Sequence, residues 1–298
     1  MKIAKIIATS FSSRTVREST ELCGDPPVYT LHSQNFITKE DTRDLILLNI
    51  EMEKKCNPGV DVDLIIVNNN TGCQWGNDFI DSLNRTKLPF GKVIIIQNTN
   101  EGWSYGAYNR GFLDYKNQYD FFIFTEDDVI IARDNYAKIA LDTFLSIPKC
   151  GFVSYQGISI SGLDLPKEDV LHAHGAVGLT STKILNKIVK KSGHLPYSEG
   201  CSRGDYREII IEGEIAFTNA IYKLGFELVE IPDRQKLFDF AYDLMRGIDK
   251  PWYPSKIDAL TYTAIKISKS FLYKILCMIS LDKFYKKIKT HILKKSIN

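Results

Sequence analysis

The sequence predicts an α/β domain built on a mostly parallel sheet flanked by helices. Two observations carry this. Four apolar runs, KIAKIIATSF, VDLIIVNNN, KVIIIQNTN and FFIFTEDD, are continuously hydrophobic rather than alternating, the pattern of strands buried on both faces. Helix-patterned segments also lie between them, and every run ends in a polar cluster. In open sheets of this kind ligands bind beyond the carboxyl ends of the strands, so those polar clusters mark where a site is expected.

The elements follow in order. Thr38 and Asp41 resemble a capping signal before the helical pattern DTRDLILLNIEMEKKC, which Pro58 and Gly59 stop. Trp103 to Lys116 and Asn135 to Ser146 supply two more helices between strands. No internal repeat or low-complexity segment interrupts the series.

The 298 residues, 44% hydrophobic and 25% charged, describe a soluble globular protein of one or two domains. MKIAKIIATSFSSR lacks the long apolar region and small-residue cleavage site of a secretory signal, so a cytoplasmic protein is expected. Six cysteines without CxxC pairing fit reduced thiols better than a zinc site or a disulfide framework. Charge is divided along the chain: residues 251–298 carry 10 Lys, no Arg and 2 Asp, a net of +8, against −6 before them. The Pro251 and Pro254 stretch KPWYPSK marks the expected boundary between a main domain, 1–250, and a basic amphipathic helical tail, 251–298.

In that tail Ile265, Leu272, Leu276 and Ile279 recur at near-helical spacing, and the pattern restarts with Phe284, Ile288 and Ile292. Its longest charge-free stretch, Ile275 to Leu281, falls far short of the ~20 apolar residues a membrane span requires. The tail is suited either to peripheral contact with an anionic membrane or to packing on the main domain with its lysines in solvent. A nucleic-acid partner is not expected, because the basic charge is confined to the tail and the core is acidic.

FFIFTEDDVII poses the chemical question. Adjacent carboxylates repel by about 4 kcal/mol at ~4 Å and an effective dielectric near 20, so Glu126, Asp127 and Asp128 require compensation. An exposed turn would find it in water, but the apolar Val129, Ile130 and Ile131 that follow make a purely exposed loop unnatural. If FFIFT is a buried strand, alternation puts Glu126 and Asp128 on one side and Asp127 on the other. Two hard oxygen ligands on one side suit Mg²⁺ or Mn²⁺, with substrate phosphates completing the shell.

Four ordered blocks together resemble the family 2 glycosyltransferases of GT-A fold, which have a Rossmann-like core and use nucleotide-sugar donors. VDLIIVNNNTG stands at the family's second strand, and NTNEGWSYGAYNRGF is similar to its N-x-G…GA-x-N-x-G block. FTEDDVII resembles its D-x-D element, and IEGEIAFTNAIYKLGF its block of an acidic residue, a helix and a glycine turn. The resemblance implies that Asp128 binds a divalent metal as the second acid. Glu126 takes the first position, giving E-x-D, and would contact metal, ribose or water, with Asp127 beside it on the donor side. Asn68 stands where the family commonly has an Asp on the donor base, which puts the identity of the base in doubt more than binding itself. Asn100, Gly102, Gly106 and Asn109 match the nucleotide-side block; Arg110 is either a phosphate contact or an exposed helical arginine.

Glu214 corresponds to the general base of inverting members, with Glu212 as the adjacent candidate on the substrate side. Favouring the next helix through its dipole is the competing reason for both acids. In LHAHGAVGLTSTK, extended geometry would point His172 and His174 the same way, and the resemblance places this segment beside donor sugar and acceptor, with His174 in a binding role. No histidine lies between Glu214 and Lys250, so the metal would rely on Asp128, phosphates and water.

The expected activity is inverting sugar transfer to a glycan or lipid-linked acceptor, as in surface polysaccharide synthesis, at the inner face of the membrane if the tail binds there. A sugar-phosphate nucleotidyltransferase would be expected to carry a glycine-rich loop near the N-terminus, whereas KIIATSFSSRTVREST has Arg14 and Arg17 but no glycine. A non-catalytic nucleotide- or sugar-binding relative is the other alternative, made open by Asn68 and Glu126.

Overall fold

The computed structural model describes residues 1–12, 14–15, 36–37, 39–131, 133–155, 158–160, 171–199, 210–231 and 237–240. Thr38, the KPWYPSK boundary and the tail 251–298 lie outside them. In chain order, β1 (Ile3–Thr9), β2 (Arg14–Thr15) and β3 (Phe36–Ile37) precede α1 (Lys39–Lys55), β4 (Val62–Asn70), α2 (Gln74–Ser82), β5 (Lys87–Leu88) and β6 (Gly91–Thr99). Then come α3 (Trp103–Tyr115), β7 (Phe121–Glu126), β8 (Val129–Ile131), α4 (Tyr136–Ser146), β9 (Cys150–Ser154), β10 (Ile158–Ile160) and β11 (Leu171–Ala173). A 3₁₀ turn (His174–Ala176) leads to β12 (Gly178–Ser181) and α5 (Thr182–Ser192). A π-helix (Ile210–Ile215) runs into α6 (Ala216–Tyr222), followed by β13 (Glu227–Glu230) and β14 (Phe238–Phe240).

The main sheet has eight strands in the order β13-β9-β12-β7-β1-β4-β6-β5. The four runs singled out in the sequence are its centre: β7, β1, β4 and β6 pair in parallel. Beyond β7 the pattern changes, because β12 inserts antiparallel between β7 and β9, while β9 and β13 are again parallel. Every residue of β1 is buried, as continuous hydrophobicity requires when both faces are covered. On one face Ile6, Ile65, Phe122 and Phe124 pack with Tyr108 and Phe112 of α3, Ile184 and Ile188 of α5, and Phe217 and Ile221 of α6. On the other, Ile7, Leu64 and Ile66 meet Ile46 and Ile50 of α1 and Ile80 of α2.

A buried ion pair interrupts this core. Lys5 is fully buried, with Nζ 3.1 Å from Glu53 Oε1 and 3.4 Å from Asn49 Oδ1, both on α1. Tyr136 donates its hydroxyl to both Glu53 oxygens at 3.0 and 2.9 Å, and the Phe238 ring lies 5.3 Å from the ammonium. Burial lowers the Lys5 pKa, and Glu53 partly offsets that.

Register places the site. Thr9 pairs with Asn68, Ala8 with Glu126, and Asn69 with Asn98, so the polar ends of β1, β4, β6 and β7 share one edge of the sheet. Among the described residues no helix is long and apolar enough to cross a membrane.

Candidate active site

The three acids close β7 and turn the chain into β8, which pairs antiparallel with β14. Val129, Ile130 and Ile131 are buried, which is why an apolar run follows the carboxylates. Within the turn the acids separate by face. Asp127 is fully buried toward α1: its Oδ2 accepts from Thr9 Oγ1 at 2.7 Å, its N–H donates to the Ala8 carbonyl at 3.1 Å, and its carbonyl accepts from Asn49 Nδ2 at 2.8 Å. The carboxylate expected on the donor side therefore serves the frame of the turn. Glu126 sits on the α3 face, where it accepts from Ser104 Oγ at 2.5 Å and keeps partial exposure. Asp128 is 8% exposed beside it.

Glu214 arrives from the π-helix, a form often found as a single turn at functional sites. A Cβ at Gly213 would stand 2.6 Å from the Tyr105 ring of α3, so glycine is what lets this turn lie directly on that helix. Glu214 Oε1 is 2.8 Å from His172 Nε2, with the two side chains 12% and 3% exposed. Glu212, on the same turn, is exposed. The chain leaves the extended conformation after Ala173, and His174 opens the 3₁₀ turn, so strand alternation does not carry from His172 to His174. The histidine that meets the candidate base is His172.

Tyr108 ties the two acidic segments together. Burial raises its phenol pKa well above the ordinary value, and the carboxylates of Glu126, Asp128, Asp127 and Glu214 add to that in descending order. Its ring stacks on Phe124 of β7 at 4.8 Å between centroids, and Phe124 meets Phe217 of α6 edge-on at 5.9 Å. This aromatic column sets the spacing between the E-D-D turn and the Glu214 segment. The carboxylates fit a divalent cation by chemistry, as hard oxygen donors. Among the described residues no group of three or more His, Cys, Asp or Glu forms a complete metal-ligand set.

The nucleotide-side block packs the start of α3 closely against its neighbours. Gly102 and Trp103 open α3 with φ of 67° and 52°, and Asn69 Nδ2 donates to the Trp103 carbonyl at 2.8 Å. A Cβ at Gly102 would fall 2.3 Å from the Tyr197 ring, and one at Gly106 would fall 1.8 Å from the Glu101 carbonyl oxygen. Asn109 Oδ1 accepts from Leu195 N–H at 2.9 Å. These three residues thus hold α3 against its flanking chain segments. A cavity of about 240 Å³ remains there, lined by Asn98, Thr99, Glu101, Asn109, Arg110 and Tyr197 among others. Asn100 is half-buried on the bend before α3. Arg110 pairs with Asp114 at 2.9 Å and is 52% exposed, an ordinary surface i,i+4 bridge.

Asn68 is 1% exposed and donates Nδ2 to Asn77 Oδ1 and Gln97 Oε1, both at 2.8 Å. Its Oδ1 is buried with no hydrogen-bond partner, which leaves an acceptor at the end of β4. A larger cavity of about 450 Å³ lies at the opposite edge of the sheet, among Lys2, Asp61, Asp63, Lys92 and Tyr119, and includes none of the candidate residues.

Thr9, Asn49, Ser104, Tyr108 and the role of His172 were not legible as site residues. Lys5 did leave a signal, a lysine inside the apolar run KIAKIIATSF, with Asn49 and Glu53 one helical turn apart on α1 to receive it.

No protein-family model matches the chain, and no curated protein matches it. Among solved structures it is similar to a cytidylyltransferase from Leptospira borgpetersenii, at 13% identity over 91% of this chain and 96% of that one, with a TM-score of 0.46. A CMP:2-keto-3-deoxy-manno-octonic acid synthetase complexed with CTP matches at 11% identity over 78% and 89%, with a TM-score of 0.42. A mannosyltransferase from Pyrobaculum calidifontis in complex with GDP-Man and Mn²⁺ matches at 12% identity over 78% of this chain and 55% of that one, also with a TM-score of 0.42.

Proposed function

We propose that this chain is a nucleotide-sugar-dependent glycosyltransferase that inverts the anomeric centre with the help of a divalent cation. The observation supporting it is that the carboxylates of Glu126 and Asp128, on the turn that closes β7 at the carboxyl edge of the sheet, and of Glu214, on a distant π-helix, all act electrostatically on the one buried Tyr108 phenol. Sugar transfer to a hydroxyl needs both functions: relief of charge on the departing diphosphate and a base for the acceptor proton.

In this reading Asp128 and Glu126 would hold Mg²⁺ or Mn²⁺ together with the donor phosphates and water. Bound there, the cation would neutralise negative charge on the leaving group. Glu214 takes the acceptor hydroxyl proton as that oxygen bonds to the anomeric carbon. The bond from that carbon to the diphosphate oxygen breaks, and its electron pair leaves with the nucleoside diphosphate. Asn68 Oδ1 is the acceptor for an N–H of the donor base, and the Asn100 bend with the cavity beside Asn109 borders the nucleotide. Glu212 and His174 lie on the acceptor side. A lipid-linked or glycan acceptor, with the basic tail 251–298 as a separate module resting on an anionic cytoplasmic membrane face, completes the proposal.

A nucleotidyltransferase would leave Glu214 without a task, because a phosphate nucleophile is already ionised at neutral pH and needs no base. The products separate the two reactions. Protein incubated with UDP-, GDP-, CDP- and dTDP-sugars and Mn²⁺ should release a nucleoside diphosphate, whereas sugar phosphate with a nucleoside triphosphate should yield no pyrophosphate. Asp128→Ala and Glu214→Gln should each lower turnover by about 100-fold or more. Unchanged turnover in either variant, or pyrophosphate as the product, overturns the reading; unchanged liposome binding after deletion of 251–298 overturns the membrane role of the tail.

A further inference from the structure

We infer that His172 is the positioning residue of Glu214, holding the base through a neutral Nε2–H hydrogen bond. The inference rests on the glycosyl-transfer reading and deepens it. A glutamate on a turn has three side-chain torsions, and fixing them costs rotamer entropy. A base that must meet an acceptor oxygen within hydrogen-bond reach gains rate when that ordering is done before the substrate arrives.

His172 is placed to do it. It is 3% exposed, whereas Glu214 keeps 12%, so the imidazole is the more deeply buried of the pair and the carboxylate retains some solvent access. Both partners share one frame. β11 is held in register by β10, with Ser159 opposite His172, and the next N–H, that of Ala173, donates to Thr218 Oγ1 of α6 at 3.3 Å. α6 continues directly from the π-helix that carries Glu214, and Gly213 seats that turn against Tyr105. The donor and acceptor of the 2.8 Å contact are therefore both anchored on the same packed unit.

The choice of side chain has a chemical reason. A lysine or arginine in this place would orient Glu214 equally well, but its positive charge would hold the carboxylate's proton affinity down and weaken it as a base. Neutral imidazole supplies one directed N–H without that full charge. The proton taken from the acceptor then resides on Glu214, while His172 keeps its own.

The test uses the full chain and the donor that it turns over. His172→Leu removes the N–H and should lower kcat by about tenfold or more, with donor KM unchanged. His172→Gln, whose amide N–H can reach the position of Nε2, should recover most of that loss. In NMR of the ¹⁵N-labelled protein, a slowly exchanging imidazole Nε2–H proton should be present in the wild type and lost in Glu214→Ala. Wild-type kcat in His172→Leu, equal loss in the Leu and Gln variants, or an Nδ1–H tautomer overturns the inference. Undiminished turnover in Glu214→Gln overturns the glycosyl-transfer reading itself; an inactive Glu214→Gln beside a fully active His172→Leu overturns only the role of His172.

Discussion

The hydroxyl of Thr9 donates to the carboxylate of Asp127 across 2.7 Å of fully enclosed core, joining the last residue of β1 to the middle acid of the E-D-D turn. Two further bonds, Asp127 N–H to the Ala8 carbonyl and Asn49 Nδ2 to the Asp127 carbonyl, tie the same residue to β1 and α1. Of three like charges in a row, one is therefore spent on holding the turn, and its neighbours Glu126 and Asp128 are carried toward the Tyr108 side.

Thr9→Val keeps the shape of the side chain and removes a hydrogen bond to a buried carboxylate. It should destabilise the protein by about 1.5–3 kcal/mol, with Thr9→Ser recovering most of the loss. Urea unfolding measures this. Equal stability of Thr9→Val and wild type would show that the bond does not hold the turn.

Lys5→Met should be more damaging, by about 3–5 kcal/mol, because Glu53 would keep its charge in the core without the ammonium beside it. Replacing both partners, Lys5→Met with Glu53→Leu, should be less destabilising than Lys5→Met alone, since no buried charge remains. Denaturant midpoints for the two variants, at constant m, decide it.

Three buried phenols govern the alkaline limit of stability. Burial raises the pKa values of Tyr108, Tyr136 and Tyr155 well above the ordinary 10.0, Tyr108 and Tyr136 with added repulsion from carboxylates. Above pH 10 the unfolded chain releases these protons while the native chain retains them, so stability contributed below that pH is lost as pH rises. Above 10.5 Lys5, whose pKa is lowered from that value, is deprotonated in both states and does not oppose the trend. Tyrosinate absorbance should accordingly rise in two phases, the second coincident with loss of helical circular dichroism. A single phase that precedes unfolding would contradict this.

Gly106→Ala tests the nucleotide-side architecture. The added methyl carbon would stand 1.8 Å from the Glu101 carbonyl oxygen, a backbone atom that can yield only by moving the bend before α3. The expected loss is about 1–3 kcal/mol of stability, together with loss of the thermal stabilisation that the cognate donor gives the wild type. A full donor-induced shift in this variant would place the nucleotide elsewhere.

Much of the fold was legible because it depends on local properties. KIAKIIATSF, VDLIIVNNN, KVIIIQNTN and FFIFTEDD became β1, β4, β6 and β7, and the helical patterns became α1, α3 and α4. Continuous hydrophobicity reports burial on two faces without any knowledge of partners. The antiparallel insertion of β12 was not legible, since GLTS is apolar enough for a strand but carries no mark of direction or neighbour.

By itself the sequence determined the parallel centre of the sheet and the gathering of polar residues at its carboxyl edge, because strand period, helix period and run length are written in consecutive residues. Only the tertiary structure decided what each polar residue does there. Asp127 went to Thr9, Asn109 to Leu195, and Glu214 to His172 rather than to a pair of parallel-pointing histidines. Those assignments turn on where the chain leaves the strand, on cross-strand register and on the close approach that Gly213 permits between the π-turn and α3. Each depends on segments far apart in sequence, brought together by the packing of Tyr108, Phe124 and Phe217 between sheet and helices.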